Sequence, residues 1–168
     1  MNVPNLSTLA ALITLIIAGC SLEAPLPKAG NFPPANLSKR EISLYRHLVE
    51  NTPRPSTDQV HFLTLTPISA WGDDGNWHNV PSDFASVIPT GFRSASDARL
   101  VDGTVWPIGS EETSVMEWIT ILRWINDRTA VVEQGSWCCP LGGGATESTY
   151  ELIDGSWKRT SSGGGWVS

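Results

Sequence analysis

The spacing of hydrophobic and polar residues divides the chain into an N-terminal helical part and a longer part made of strands. Apolar residues recur at helical spacing between Ile42 and Val49, which predicts a helix with one buried face. Ser38 and Glu41 have the spacing of a capping box, in which each side chain satisfies an unpaired backbone N–H at the helix start. Pro53 predicts the end of this helix.

Short runs with the character of strands follow the helix. Val60 to Thr66 is rich in β-branched and aromatic residues on both faces, which predicts a buried strand. Ser82 is suited to cap a short helix that continues to Ile88. Asp102-Gly103 lies between two apolar runs and predicts a tight hairpin.

The C-terminal third predicts an antiparallel meander. Its expected strands are Met116–Ile125, Thr129–Cys138 and Thr146–Ile153, with Leu141 to Gly144 as a flexible turn, and then Ser156–Arg159 with a last edge at Trp166-Val167. A helix followed by a meander predicts an α+β fold, in which the N-terminal helix packs on a curved antiparallel sheet. Residues 36–168 are expected to form this single domain.

The first 35 residues have a different composition from the rest. The apolar stretch from Leu9 to Gly19 is about half the roughly 20 residues that a transmembrane helix needs. It matches instead the hydrophobic region of a secretory signal, which ends in small residues. Residues 20–35 are rich in proline and are expected to form an extended tether.

The sequence Ile17-Ala18-Gly19-Cys20 resembles the lipobox of bacterial lipoproteins. The resemblance implies that residues 1–19 are a signal peptide and that Cys20 carries diacylglycerol and acyl chains such as palmitate. These chains would anchor the protein in the membrane. Ser21, rather than Asp, implies sorting to the outer membrane, with the periplasmic side expected for the domain. The chain departs from the family in having no Lys or Arg before Cys20, so either a neutral start is tolerated or the true start lies upstream of Met1.

Charge narrows the range of partners. The net charge is −6 and the isoelectric point is about 4.9. Nucleic-acid binding depends on clustered Lys and Arg, so this composition argues against nucleic acid as a partner. The remaining candidates are a cell-wall glycan and a periplasmic protein.

Two tryptophans frame the best candidate for ligand binding. Trp71 and Trp77 offer flat apolar faces for stacking on sugar rings, and Asp73 and Asp74 between them can bind hydroxyl groups. Trp137 is a candidate for the same surface. The alternative is that Trp71 and Trp77 fold back to cover the end of the sheet, while the acidic residues only form the turn.

Cys138 and Cys139 are adjacent, and they are the two thiols that remain if Cys20 is acylated. They are candidates for a vicinal disulfide, which requires distortion of the peptide between them because strand neighbours point to opposite faces. Such a strained ring would be easily reduced. The alternative is a pair of reduced thiols, one in the core and one facing a neighbour.

The sequence contains no motif for catalysis. There is no Gly-x-Ser-x-Gly and no pair of histidines at metal-binding spacing, so we expect neither a metal nor another cofactor. The C-terminal strands resemble those of cystatin-like and NTF2-like α+β domains and of uncharacterised secreted bacterial proteins, a resemblance that implies a fold only. We therefore expect a non-catalytic module that binds cell-wall glycan. An inhibitor, immunity or adaptor protein is the first alternative, and an envelope hydrolase is the second.

Overall fold

A computed structural model describes residues 36–53, 58–71, 77, 81–85 and 88–168. It contains helices α1 (Lys39–Glu50) and α2 (Ser82–Ala85). The strands are β1 (Val60–Thr64), β2 (Phe92–Ser94), β3 (Ala98–Val101), β4 (Thr104–Pro107), β5 (Ser114–Asn126), β6 (Thr129–Cys139), β7 (Gly142–Ile153) and β8 (Ser156–Val167). The predicted signal peptide and tether lie outside the described residues and stay predictions.

Six strands form one large sheet in the order β2-β1-β5-β6-β7-β8. Strands β5 to β8 are an antiparallel meander, and β1 pairs in parallel with both β5 and β2. Strands β3 and β4 form a separate hairpin. The structure confirms the general prediction that a helix packs on a sheet made largely of antiparallel strands. The described residues are mostly sheet with one long helix, rather than clearly α+β.

Two features of the sheet differ from the prediction. The parallel strands at β1 were not expected, because nothing local in the sequence distinguishes a parallel neighbour from an antiparallel one. Gly142 to Gly144 belong to β7 instead of forming a turn, and the turn is limited to Pro140 and Leu141. These glycines lie against bulky groups of neighbouring strands, which explains why the strand has no side chains there.

Helix α1 begins with the predicted capping box. The Ser38 backbone N–H donates to Glu41 Oε2 at 2.7 Å, and the Glu41 N–H donates to Ser38 Oγ at 3.3 Å. The buried face of α1 packs on β5, where the Ile121 N–H donates to the Tyr45 hydroxyl at 3.2 Å. Ile121 lies at a register irregularity between β5 and β6, so the hydroxyl satisfies a buried N–H at a break in the ladder.

The helix is too short to cover its face of the sheet. Twelve residues of helix span about 18 Å, whereas the thirteen residues of β5 span about 43 Å. The part of the face beyond the C-terminal end of α1 is therefore not covered by this helix. None of the helices in the described ranges is long and apolar enough to cross a membrane.

The opposite face of the sheet is covered by the β3–β4 hairpin and by the rings of Trp71 and Trp77. These pack with Phe62, Met116 and Trp118 into a second core. The sheet therefore lies between two apolar clusters, one under α1 and one under the hairpin.

The contact between Tyr45 and β5 can be tested by removing a single oxygen. Tyr45→Phe leaves the buried Ile121 N–H without its acceptor, so we expect a loss of about 1–3 kcal/mol in the free energy of unfolding. Denaturant unfolding measures it. Tyr150→Phe is the control, because the Tyr150 hydroxyl donates to the side-chain oxygen of the partly exposed Gln134 and not to a buried backbone group of the sheet among the described residues. An equal loss of unfolding free energy in both variants would contradict a specific role for the hydrogen bond between the Ile121 N–H and the Tyr45 hydroxyl.

Candidate functional site

Five tryptophan rings form a continuous row on the hairpin side of the sheet. The order is Trp77, Trp71, Trp118, Trp166 and Trp137, and successive ring centroids are 5.4, 5.5, 6.3 and 6.3 Å apart. The first two contacts are edge-to-face, whereas Trp118 and Trp166 are stacked with an angle of 21° between their planes. We call this set the indole row.

Strand register explains how Trp118 and Trp166 meet across two intervening strands. Trp118 pairs with Gly135, Gly135 with Ala145, and Ala145 with Trp166. Small residues at the two middle positions leave space above the sheet, and the two rings lie over it. A Cβ on Gly135 would collide with the six-membered ring of Trp118, so glycine is required there.

Only one end of the indole row reaches solvent. Trp71, Trp77 and Trp118 are 6%, 3% and 1% exposed, whereas Trp166 is 37% exposed and Trp137 is half-buried. A ring whose faces are covered cannot stack on a sugar. The arrangement of Trp71 and Trp77 is thus that of the alternative interpretation, in which they cover the sheet.

The other residues of the predicted binding loop are placed differently. Asp73 and Asp74 lie outside the described residues, and their role stays a prediction. Trp137 joins the same row as Trp71 and Trp77, as the sequence suggested, but the link runs through Trp118 and Trp166.

Two carboxylates lie beside the exposed end of the row. Glu133 and Glu147 are direct partners across β6 and β7, and together with Trp166 they line a cavity of about 160 Å³. Burial raises the pKa of Glu133, and the charge of Glu147 raises it further. The Trp118 Nε1–H donates to Glu133 Oε1 at 2.7 Å, which partly offsets this rise.

A larger groove of about 590 Å³ occupies the part of the sheet that α1 leaves open. Among its lining residues, His61 Nδ1 lies 2.8 Å from Glu117 Oε1, and burial raises the pKa of Glu117 despite this contact. Gln134 and Ser136 add polar groups to the lining. Trp166, on the edge strand, contributes to the lining of both regions, which lie on opposite faces of the sheet.

The cysteine pair lies at the end of β6 next to Trp137. Both cysteines are half-buried free thiols, and their Sγ atoms are 2.8 Å apart. The predicted disulfide is therefore not formed in this structure, but neither are the thiols separated as the alternative expected. A register irregularity between Trp137 and Cys139 accounts for this proximity.

The site as a whole is suited to binding a neutral ligand with both an apolar face and hydrogen-bonding groups. The Trp166 ring supplies the flat surface, and the carboxyl groups of Glu133 and Glu147 lie beside it. Within the described ranges, no group of three His, Cys, Asp or Glu side chains is arranged to hold a metal ion.

Sequence reasoning did not identify Trp166, Glu133 and Glu147 as site residues. Glu133 and Glu147 lie opposite each other because of the register between β6 and β7, which the sequence alone does not specify. The position of Trp166 depends on the length of β8, which continues to Val167. Three successive glycines precede Trp166, and they made the end of this strand difficult to predict from the sequence.

The raised pKa of Glu133 predicts a pH dependence of stability. Folding raises this pKa above its ordinary 4.5, so the stabilising effect of protonation is fully present below pH 4.5 and is lost as the pH rises through the folded value. Glu133→Gln keeps an acceptor for Trp118 and removes the charge. We expect the variant to be more stable than the wild type at pH 7 and to lose that advantage below pH 4.5.

Denaturant midpoints across this pH range measure the effect. The exposed Glu112, replaced by Gln, is the control for removing one negative charge. A pH-independent difference for Glu133→Gln would show that its environment does not disfavour the charged form.

The chain was compared with protein families, curated proteins and solved structures. No protein-family model, no curated protein and no solved structure matches this chain.

Proposed function

We propose that this protein is a lipid-anchored envelope protein whose domain is a non-catalytic module for binding a neutral cell-wall glycan. Trp166 is the stacking surface. The observation that carries the proposal is the 37% exposure of Trp166 in a row whose other rings are buried or half-buried. We also propose that the fold of this domain belongs to the α+β class.

Rigidity makes Trp166 suitable as a stacking surface. Trp118 stacks on it and Trp137 lies against it, both with centroids 6.3 Å away. A side chain that is already held by its neighbours loses little further conformational entropy when a ligand binds. The exposed Leu141 and Val167 are aliphatic and offer no flat ring, so we assign the ligand to the indole row.

Charge defines the class of glycan. Glu133 and Glu147 lie beside Trp166, and the chain as a whole carries a net charge of −6. Their oxygens accept hydrogen bonds from sugar hydroxyls and acetamido N–H groups. An anionic ligand would be repelled, which favours neutral amino-sugar chains.

A protein partner is the second candidate, and one observation favours it. Strand β8 lies at the edge of the sheet, and eleven of its twelve positions are exposed in the burial pattern. A long edge strand offers unpaired backbone groups to a strand of another chain. An inhibitor or adaptor would use this edge, and its binding would not require the face of Trp166.

Substitution of Trp166 separates these candidates. We expect Trp166→Ala to weaken binding of a soluble β-1,4-linked N-acetylglucosamine oligomer by about 30-fold, which is roughly 2 kcal/mol for the loss of a central tryptophan. Isothermal titration calorimetry of the full chain in detergent measures this. The matched control is Trp106→Ala, since Trp106 is a half-buried tryptophan that lies outside the indole row.

Three results would contradict the proposal. Equal affinity of Trp166→Ala and wild type would remove the stacking role. A stoichiometric envelope protein that is captured at low salt and lost at high salt would favour a charged protein partner. Release of shortened oligomers, abolished by Glu133→Gln while binding survives, would assign a hydrolase.

The proposed anchor has its own test. We expect the mature protein to lack residues 1–19 and to carry acyl chains on Cys20, because the lipobox cysteine is the acceptor. Cys20→Ser should retain residues 1–19 and carry no acyl mass. Intact-mass measurement distinguishes the two forms, with Cys138→Ser as a control that is processed normally. An unmodified wild-type mass would refute the anchor.

A further inference from the structure

The two adjacent cysteines point to the same place, which is unusual for neighbours in a strand. Side chains of successive strand residues normally point to opposite faces. Here Trp137 pairs with Gly143 and Cys139 with Gly142, so Cys138 is the extra residue of a β-bulge. The bulge turns the two side chains toward each other, and their Sγ atoms lie 2.8 Å apart.

Gly142 provides the space that both sulfur atoms occupy. A Cβ at this position would lie 2.5 Å from Cys139 Sγ and 2.6 Å from Cys138 Sγ. The Cys138 thiol also donates to the Gly142 carbonyl at 3.2 Å, which fixes its orientation. Strand β7 therefore has room at Gly142 for the two sulfur atoms but not for a side chain of its own.

The pair is accessible and lies next to a strained turn. Both cysteines are half-buried, and the turn that follows them contains Pro140 and the 83% exposed Leu141. Leu141 has a φ of 64°, a conformation that costs a non-glycine residue free energy. Strain of this kind is concentrated at functional positions, where the surrounding structure maintains it.

We propose that Cys138 and Cys139 form a redox-active dithiol that reacts reversibly with disulfides and closes into a vicinal disulfide. The oxidant is a disulfide of the type RS–SR. One cysteine thiolate attacks a sulfur of RS–SR, which releases RS⁻ and forms a mixed disulfide. The second thiolate attacks the protein sulfur of that mixed disulfide and releases the other RS⁻.

The exchange balances in atoms and electrons. Two protein thiols lose two protons and two electrons, one new S–S bond forms, the S–S bond of RS–SR breaks, and two RSH are produced. The proposal does not depend on the glycan-binding function. The pKa of the Cys138 thiol is raised by burial and by the neighbouring thiol, so the reaction should accelerate as the pH rises.

One tryptic peptide reports on the pair. Cleavage after Arg128 and Lys158 gives Thr129–Lys158, which contains both cysteines and excludes Cys20. The folded full chain is equilibrated with mixtures of reduced and oxidised glutathione, quenched with an alkylating reagent and digested. We expect the peptide to be either doubly alkylated or unlabelled and lighter by two hydrogen atoms, and the two forms to interconvert with the glutathione ratio.

Two variants test the roles of Cys139 as the second reacting thiol and of Gly142 as the residue that leaves room for the sulfur atoms. Cys139→Ser should accumulate the mixed disulfide of Cys138 with glutathione, because the resolving thiol is absent. Gly142→Ala should reduce the unlabelled, closed form, because its Cβ displaces the sulfur atoms. Gly164→Ala is the matched control, since a Cβ there meets nothing within 4 Å.

The proposal is overturned if wild-type peptide stays doubly alkylated in oxidised glutathione. It is also overturned if each cysteine takes up its own glutathione, since that shows that the thiols react independently. Thermal unfolding of Gly142→Ala checks that its fold is retained, and Cys139→Ser keeps the test decisive if that fold is lost.

Discussion

The packing of the Trp118 ring over Gly135 is the contact on which the second face of the sheet depends. Gly135 has no side chain, so the ring lies directly on β6, and the next small residue, Ala145, extends this flat surface to the edge strand. Trp71 packs on the inner edge of Trp118, and Trp166 stacks on its other side. The same indole donates to Glu133, so one side chain connects the core, the exposed ring and the site carboxylate.

The dimensions of the elements determine where ligands have access. Helix α1 covers only part of its face of the sheet, and the uncovered part becomes the groove that contains His61 and Glu117. The hairpin packs on the other face over β5 and β6, and Trp166 on the edge strand reaches solvent. The two accessible regions therefore lie on opposite faces of the sheet, and β8 borders both of them.

Local features of the structure were predictable from the sequence, and features that depend on long-range register were not. The capping box at Ser38 and the hairpin at Asp102 depend on residues a few positions apart, and both are found where predicted. The sequence left two interpretations of Trp71 and Trp77 open, and it did not indicate that Trp166 would be the exposed ring. The reason is that the burial of a ring depends on which strands and loops pack against it. The bulge at Cys138 likewise depends on pairing with β7, so the proximity of the thiols was not visible in the sequence.

We propose that the exposed end of the indole row binds the glycan. The response of each tryptophan to the ligand can be measured separately. Indole Nε1–H resonances of ¹⁵N-labelled protein are followed during titration with the neutral N-acetylglucosamine oligomer. We expect the Trp166 and Trp137 resonances to shift with a common saturation curve, and the resonances of Trp124 and Trp157, which pack on the α1 face of the sheet, to stay unchanged. Saturable shifts confined to other tryptophans, or no shift at all, would contradict it.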